Sequence, residues 1–179
     1  MATNLDAPFG FMPVDTIGGA APGKLGEYKV TDDAIFQGDS VQIASNSGVL
    51  TQGGTGTTDV GDFWGAKYDD SNGKPTFTNN VPASQAATAF IYDNPYQVFE
   101  IQGDDGTNSA QTDVGRTADK VVGQGSTATG VSIFELDSSN IGTGANLRIV
   151  GFSQNPNRGN IGQETTVYRV LINEHLYAN

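Results

Sequence analysis

Apolar residues along this chain come in short runs of alternating polarity, separated by clusters of Gly, Asn, Asp, Ser and Thr. That is the period-2 signature of half-buried strands, not the 3.6-residue period of amphipathic helices. The runs predict strands at Glu27–Val30, Ser40–Ala44 with Val41 and Ile43 on one face, Val49–Thr51, Thr76–Thr78, Ala87–Tyr92, Gln97–Gln102, Val131–Leu136, Leu147–Phe152 and Thr165–Ile172. Trp64, Ala66 and Tyr68 share a face in a further run. The Asn72-Gly73 pair that follows predicts a tight hairpin, because a type I′ turn needs positive φ at both central positions. Only Asp113–Lys120 fits a short helix, and no fixed repeat points to a propeller or solenoid. The pattern predicts an all-β fold, a β-sandwich or β-barrel with long Gly/Thr/Ser/Asn-rich loops.

Residues 1–26 are different. They hold three prolines and five glycines and show neither period, so they read as an extended N-terminal arm ahead of a single β domain over residues 27–179. Phe9, Phe11, Met12, Val14 and Ile17 within the arm are apolar, so it either packs on its own domain or lies on a neighbour and orders on contact. Gly10 and Pro13 would set its path, and Phe9, Gly10, Phe11, Pro13 and Val14 are the candidate partner-binding residues. Val81-Pro82-Ala83 is a candidate division into two β lobes, although one continuous unit is the preferred reading.

Composition strengthens the β reading. Gly, Thr, Asn and Ser account for 67 of the 179 residues, types that either weaken helices or compete for their backbone hydrogen bonds. With Asp+Glu 20 against Lys+Arg 9 the formal net charge is −11, which argues against direct nucleic-acid binding and against an anionic membrane surface. No apolar stretch reaches the ~18 residues of a spanning helix, and the first residues lack the basic and apolar regions of a secretion signal. The chain has no cysteine, hence no disulfide and no thiolate chemistry.

The motifs that suggest chemistry fail on context. Gly123-Gln-Gly125-Ser-Thr-Ala128 matches a dinucleotide fingerprint, but the residues after it are strand formers where a phosphate-binding helix is required. Asp69-Asp70-Ser71-Asn72-Gly73 and Asp104-Asp105-Gly106 lack the acidic first ligand that a calcium loop places five residues before its glycine, so they read as turns. The single histidine, His175, lies near the end of the chain, and no GxSxG elbow accompanies it. Asp93, Glu100, Asp113 and Glu135 are available carboxylates with nothing to select a catalytic pair. The expectation is a non-enzymatic protein with no cofactor and no metal.

Several phrases, in order, resemble a family of virion structural proteins of tailed bacteriophages that includes capsid decoration or cement proteins. They are Pro8-Phe9-Gly10-Phe11-Met12-Pro13-Val14 followed by Gly18-Gly19-Ala20; Gly38-Asp39-Ser40-Val41; residues 89–102, Ala-Phe-Ile-Tyr-Asp-Asn-Pro-Tyr-Gln-Val-Phe-Glu-Ile-Gln; Asp113-Val-Gly-Arg-Thr-Ala-Asp119; and Leu171-Ile-Asn-Glu-His-Leu-Tyr177. The similarity spans nearly the whole chain; Asp93-Asn94-Pro95 departs from the family's acidic pair before proline. The resemblance implies a protein that binds the outer face of an assembled shell, with the major capsid protein as partner and a homotrimer as its state. A strongly acidic chain suits that external face, away from packaged DNA. The alternatives are another virion β-protein (a head fibre base, a tail or a receptor-binding component), or a bacterial surface or carbohydrate-binding β-module.

Overall fold

The computed structural model describes residues 4–18, 25–104 and 106–178, and every regular element longer than three residues within them is a strand. In chain order, β1 spans Met12–Thr16. β2 (Gly26–Val30), β3 (Ile35–Phe36), β4 (Ser40–Ile43), β5 (Leu50–Gln52), β6 (Gly61–Asp69), β7 (Pro75–Thr78), β8 (Asn80–Val81) and β9 (Ala87–Tyr92) follow. β10 (Gln97–Gln102), β11 (Thr117–Ala118), β12 (Lys120–Val121), β13 (Glu135–Leu136), β14 (Leu147–Phe152) and β15 (Val167–Ile172) complete the set.

Two apolar cores organise these strands. In the first, β4, β5, β2, β9 and β6 pair in that order and β4 returns to β6, closing a five-stranded barrel with β7 added outside β6. The β2–β5 contact is parallel and the others are antiparallel. Alternation along β9 sends Ala89 and Ile91 inward, where they meet Val30, Val41, Leu50 and Phe63. In the second, a sheet of order β1-β10-β15-β14-β11 packs Phe11, Phe99, Ile149, Tyr168 and Val170 with Phe134 and Leu136. Closure removes the free edges of the five barrel strands and leaves β7 as an outer strand, whereas the open sheet keeps two edges, β1 and β11.

Four expectations need correction. The segment expected as an arm contains β1, which pairs antiparallel with β10 from Met12↔Glu100 to Thr16↔Gln97 and belongs to the sheet. Burial of Phe11 edge-on against Phe99 (centroids 5.6 Å apart) anchors it, and Pro13 is tolerated because β1 is an edge strand. Residues 1–3 and 19–24 of the expected arm lie outside the described residues, as does Asp105. The division near residue 82 is also displaced: Val81 is fully buried in the barrel core, and the chain passes from barrel to sheet between Tyr92 and Gln97. Asp113–Lys120 is not a helix but a 3-10 turn, Gln111–Asp113, running into β11 and β12. At the β6–β7 hairpin only Gly73 has positive φ (+74°). Asp70 Oδ1 accepts the Asn72 and Lys74 amides, which makes a longer loop than a two-residue type I′ turn.

Candidate functional site

The barrel and the sheet meet where two glycines cross. Gly10 has φ +72° and Gly38 φ +91°, both in the left-handed region open to glycine. A Cβ on Gly10 would lie 2.2 Å from the Gly38 carbonyl oxygen, and one on Gly38 would lie 2.6 Å from that of Phe9. The close approach lets Phe11 N donate to Gly38 O at 2.8 Å. Gln37 extends the junction, donating to Asn79 O and Gly130 O and accepting from Ser132 N at 2.8 Å.

Around this crossing lies an apolar trough. A groove of about 260 Å³ is lined by Phe9, Phe11, Met12, Trp64, Val131 and Arg158 beside Gln37 and Gly38. Across Gln37 and Trp64 it adjoins a shallower depression bounded by Ala66, Phe77 and Phe90. Trp64 is 41% exposed and Phe77 73%, far more than aromatic side chains in a core. A bulge explains Trp64. The β6–β9 register shifts between Phe63 and Gly65, so Phe63 and Ala66 both face the core and Trp64 is turned out. This separates Trp64 from Ala66, which simple alternation had put on one face. Tyr92 then supports the indole edge-on at 5.5 Å. Cations cap two rings: the Arg158 guanidinium lies 5.3 Å from the Phe9 centroid and Lys67 Nζ 5.5 Å from that of Phe90.

The candidate partner-binding residues divide accordingly. Phe9 lines the trough and Val14 is exposed on β1, with Pro13 half-buried between them. Gly10 and Phe11 face inward, so Phe11 packs its own core and is not free to fill a neighbour's pocket. Trp64, Met12 and Phe77 were not singled out as binding residues; the one available signal was a lone tryptophan in a glycine-flanked strand.

Behind the trough sit two buried acids that no local motif announces. Asp39 Oδ2 accepts from Phe36 N and Gln52 Nε2, both at 2.9 Å, while burial pushes its pKa up to about 6 against hydrogen bonds from Ser132, Phe36 and Gln52 that lower it. Asp62, opposite Ser40 on the neighbouring strand, is fully buried with neither carboxyl oxygen partnered. Burial, with the Asp39 charge adding, holds its pKa well above the carboxylate range.

A second junction is polar. Asn146 Oδ1 accepts Gly56 N at 2.7 Å, and its amide donates to Thr57 O and to Glu174 Oε2. Asp59 donates its backbone N–H to Glu174 O and accepts from Leu176 N, and its carboxylate contacts Lys120 Nζ, both side chains fully buried. His175 is packed here, its Nδ1 accepting from Tyr177 N at 3.1 Å and burial lowering its pKa. Of the four candidate carboxylates, Asp93 accepts from Tyr28 OH, while Asp113 is buried and accepts from Ala110 N in its own turn. Among the described residues no group of three or more His, Asp or Glu side chains has the geometry to hold a metal ion, and no helix is long and apolar enough to cross a membrane.

Comparison with family models, with curated proteins and with solved structures finds no match to this chain.

Proposed function

We propose that this protein is a non-enzymatic virion structural protein that binds the outer face of an assembled tailed-phage shell, with the aromatic trough as its shell-facing surface. The observation that carries the reading is the trough. Partly exposed Phe9, ahead of β1, and Met12, Trp64 and Phe77, on β1, β6 and β7, line two adjoining apolar depressions beside Arg158. Aromatic and arginine side chains are the types that dominate binding energy at protein interfaces, and contiguous exposed apolar surface is uncommon without a partner. β1 and β7, which carry Met12 and Phe77, are both outer strands, so an extended apolar segment of the major capsid protein fits alongside them. The net charge of −11 favours the outer face over the DNA-lined interior. A homotrimer on a local three-fold axis completes the reading, since a cyclic site closes there on an icosahedral lattice.

Binding of the purified protein to shells stripped of it tests the proposal. Trp64→Ala with Phe77→Ser weakens binding at least about tenfold if two aromatic anchors are lost. Unchanged binding by a folded double variant overturns the trough as the contact surface. The same aromatics favour one second reading, stacking on a sugar, as in a carbohydrate-binding module; binding of glycans but not of shells would select it.

A further inference from the structure

The polar junction holds a pair of side chains that a non-covalent role explains poorly. Lys120 sits on β12, which pairs with β13 in a two-stranded ladder packed beside the sheet, and Asp59 on the loop ahead of β6 in the barrel; both side chains are wholly shielded from water. An ammonium has three donors to satisfy, yet among the described residues Lys120 Nζ has one polar contact, Asp59 Oδ2. An ion pair buried with donors unmet recovers little of what its desolvation costs. Burial pushes the Asp59 carboxyl up and the Lys120 amine down, against their mutual attraction and the Asp119 and Glu174 charges near the amine, and so shifts both toward their neutral forms.

The surroundings agree with a neutral pair. Thr57 has a single hydroxyl proton, and its Oγ1 lies 2.9 Å from Gly54 O and 3.0 Å from Asp59 Oδ1. A protonated Asp59 satisfies all three groups: its O–H donates to Thr57, and Thr57 donates to Gly54. Both partners are also held in place. The Asp59 backbone is fixed on both sides by Glu174 O and Leu176 N, and the Lys120 carbonyl accepts from Thr55 Oγ1 at 3.2 Å. An amine and a carboxyl held in contact on fixed backbones have a high effective concentration.

We infer that Lys120 and Asp59 form an intramolecular isopeptide bond, a covalent cross-link between the β12–β13 ladder and the barrel. The Lys120 amine attacks Asp59 Cγ, so that an Nζ–Cγ bond forms and the Cγ–Oδ1 bond breaks. One amine hydrogen leaves with the Oδ1 hydroxyl as water, and Oδ2 remains as the amide oxygen. The step is a condensation and needs neither oxidant nor metal. The product amide has one N–H to satisfy where the ammonium had three. It supplies, in a chain without cysteine, the permanent closure that a disulfide provides elsewhere.

Intact-mass measurement on the folded full-length chain, beside an Asp59→Ala variant prepared identically, tests the inference. The native chain is expected to be lighter than its sequence by one water molecule and the variant to match its own sequence. A tryptic digest should then contain a branched species joining Val30–Lys67 to Thr117–Arg148, uncut after Lys120. A native chain at full sequence mass overturns the cross-link. So does a lost water that persists in Asp59→Ala or comes without the branched peptide, because it then lies elsewhere, as in a succinimide.

Discussion

The barrel and the sheet meet in two places built on opposite principles. At the glycine crossing, backbones touch directly and the aromatic side chains above them stay partly open, Trp64 and Phe77 most of all. At the polar junction, Asp59, Lys120 and Asn146 are wholly buried, Asp59 against Lys120, and Asn146 against the Gly56 and Thr57 backbone and the Glu174 carboxylate. The contrast separates a closed contact from an open one: the polar junction seals the two halves together, and the aromatic one leaves apolar surface exposed, where the proposed binding would occur.

The largest test of that division is Lys120→Met. It removes the partner of a buried carboxyl, or the cross-link itself, and is expected to destabilise the fold by about 3–5 kcal/mol in thermal or denaturant melts. A loss below about 1 kcal/mol would mean that the polar junction does not hold the halves together. Gly10→Ala comes next. Its Cβ collides with the Gly38 carbonyl and a positive φ is imposed on alanine, so roughly 2–4 kcal/mol should be lost. A neutral result would show that the crossing is loose.

The acids behind the trough give a pH dependence of intermediate size. The folded-state pKa values of Asp39 and Asp62 lie above the unfolded value of 3.8, so the native state binds more protons. Their contribution is therefore complete below that value and declines as pH rises, for Asp39 up to about 6 and for Asp62 up through its own raised pKa. Stability should improve by on the order of 1–3 kcal/mol on acidification from neutral pH to about 5, and Asp39→Asn should flatten that slope. A profile identical in the variant would remove Asp39 from the account. Smallest of all, Trp64→Ala with Phe77→Ser should change stability by less than about 1 kcal/mol, because both side chains are largely exposed. A large loss would make the trough part of the core and not a binding surface.

Much of the strand pattern was legible because alternation is a local signal. Ala87–Tyr92, Gln97–Gln102 and Leu147–Phe152 have the predicted bounds, each with apolar residues directed to one core. What escaped depended on partners distant in the chain. β1 carries Pro13 and follows Gly10, which read as irregular until β10 is placed beside it. Val131–Leu136 reads as one strand, but only Glu135–Leu136 pairs as one with β12, since Val131 and Ser132 are drawn to Gln37 at the crossing. Trp64 was on the wrong face because a bulge adds one residue and reverses the alternation. Nothing in the sequence marked Asp39, Asp59, Asp62 and Lys120 as buried: a charged residue beside a turn looks the same whether exposed or sealed in a junction.

The most direct test of the proposed shell binding is a cryo-EM reconstruction of tailed-phage shells incubated with this protein. The account places the protein outside the shell, around a local three-fold axis, with Trp64, Phe77 and Met12 against the capsid surface. A map in which the trough faces solvent while another surface meets the shell would contradict it.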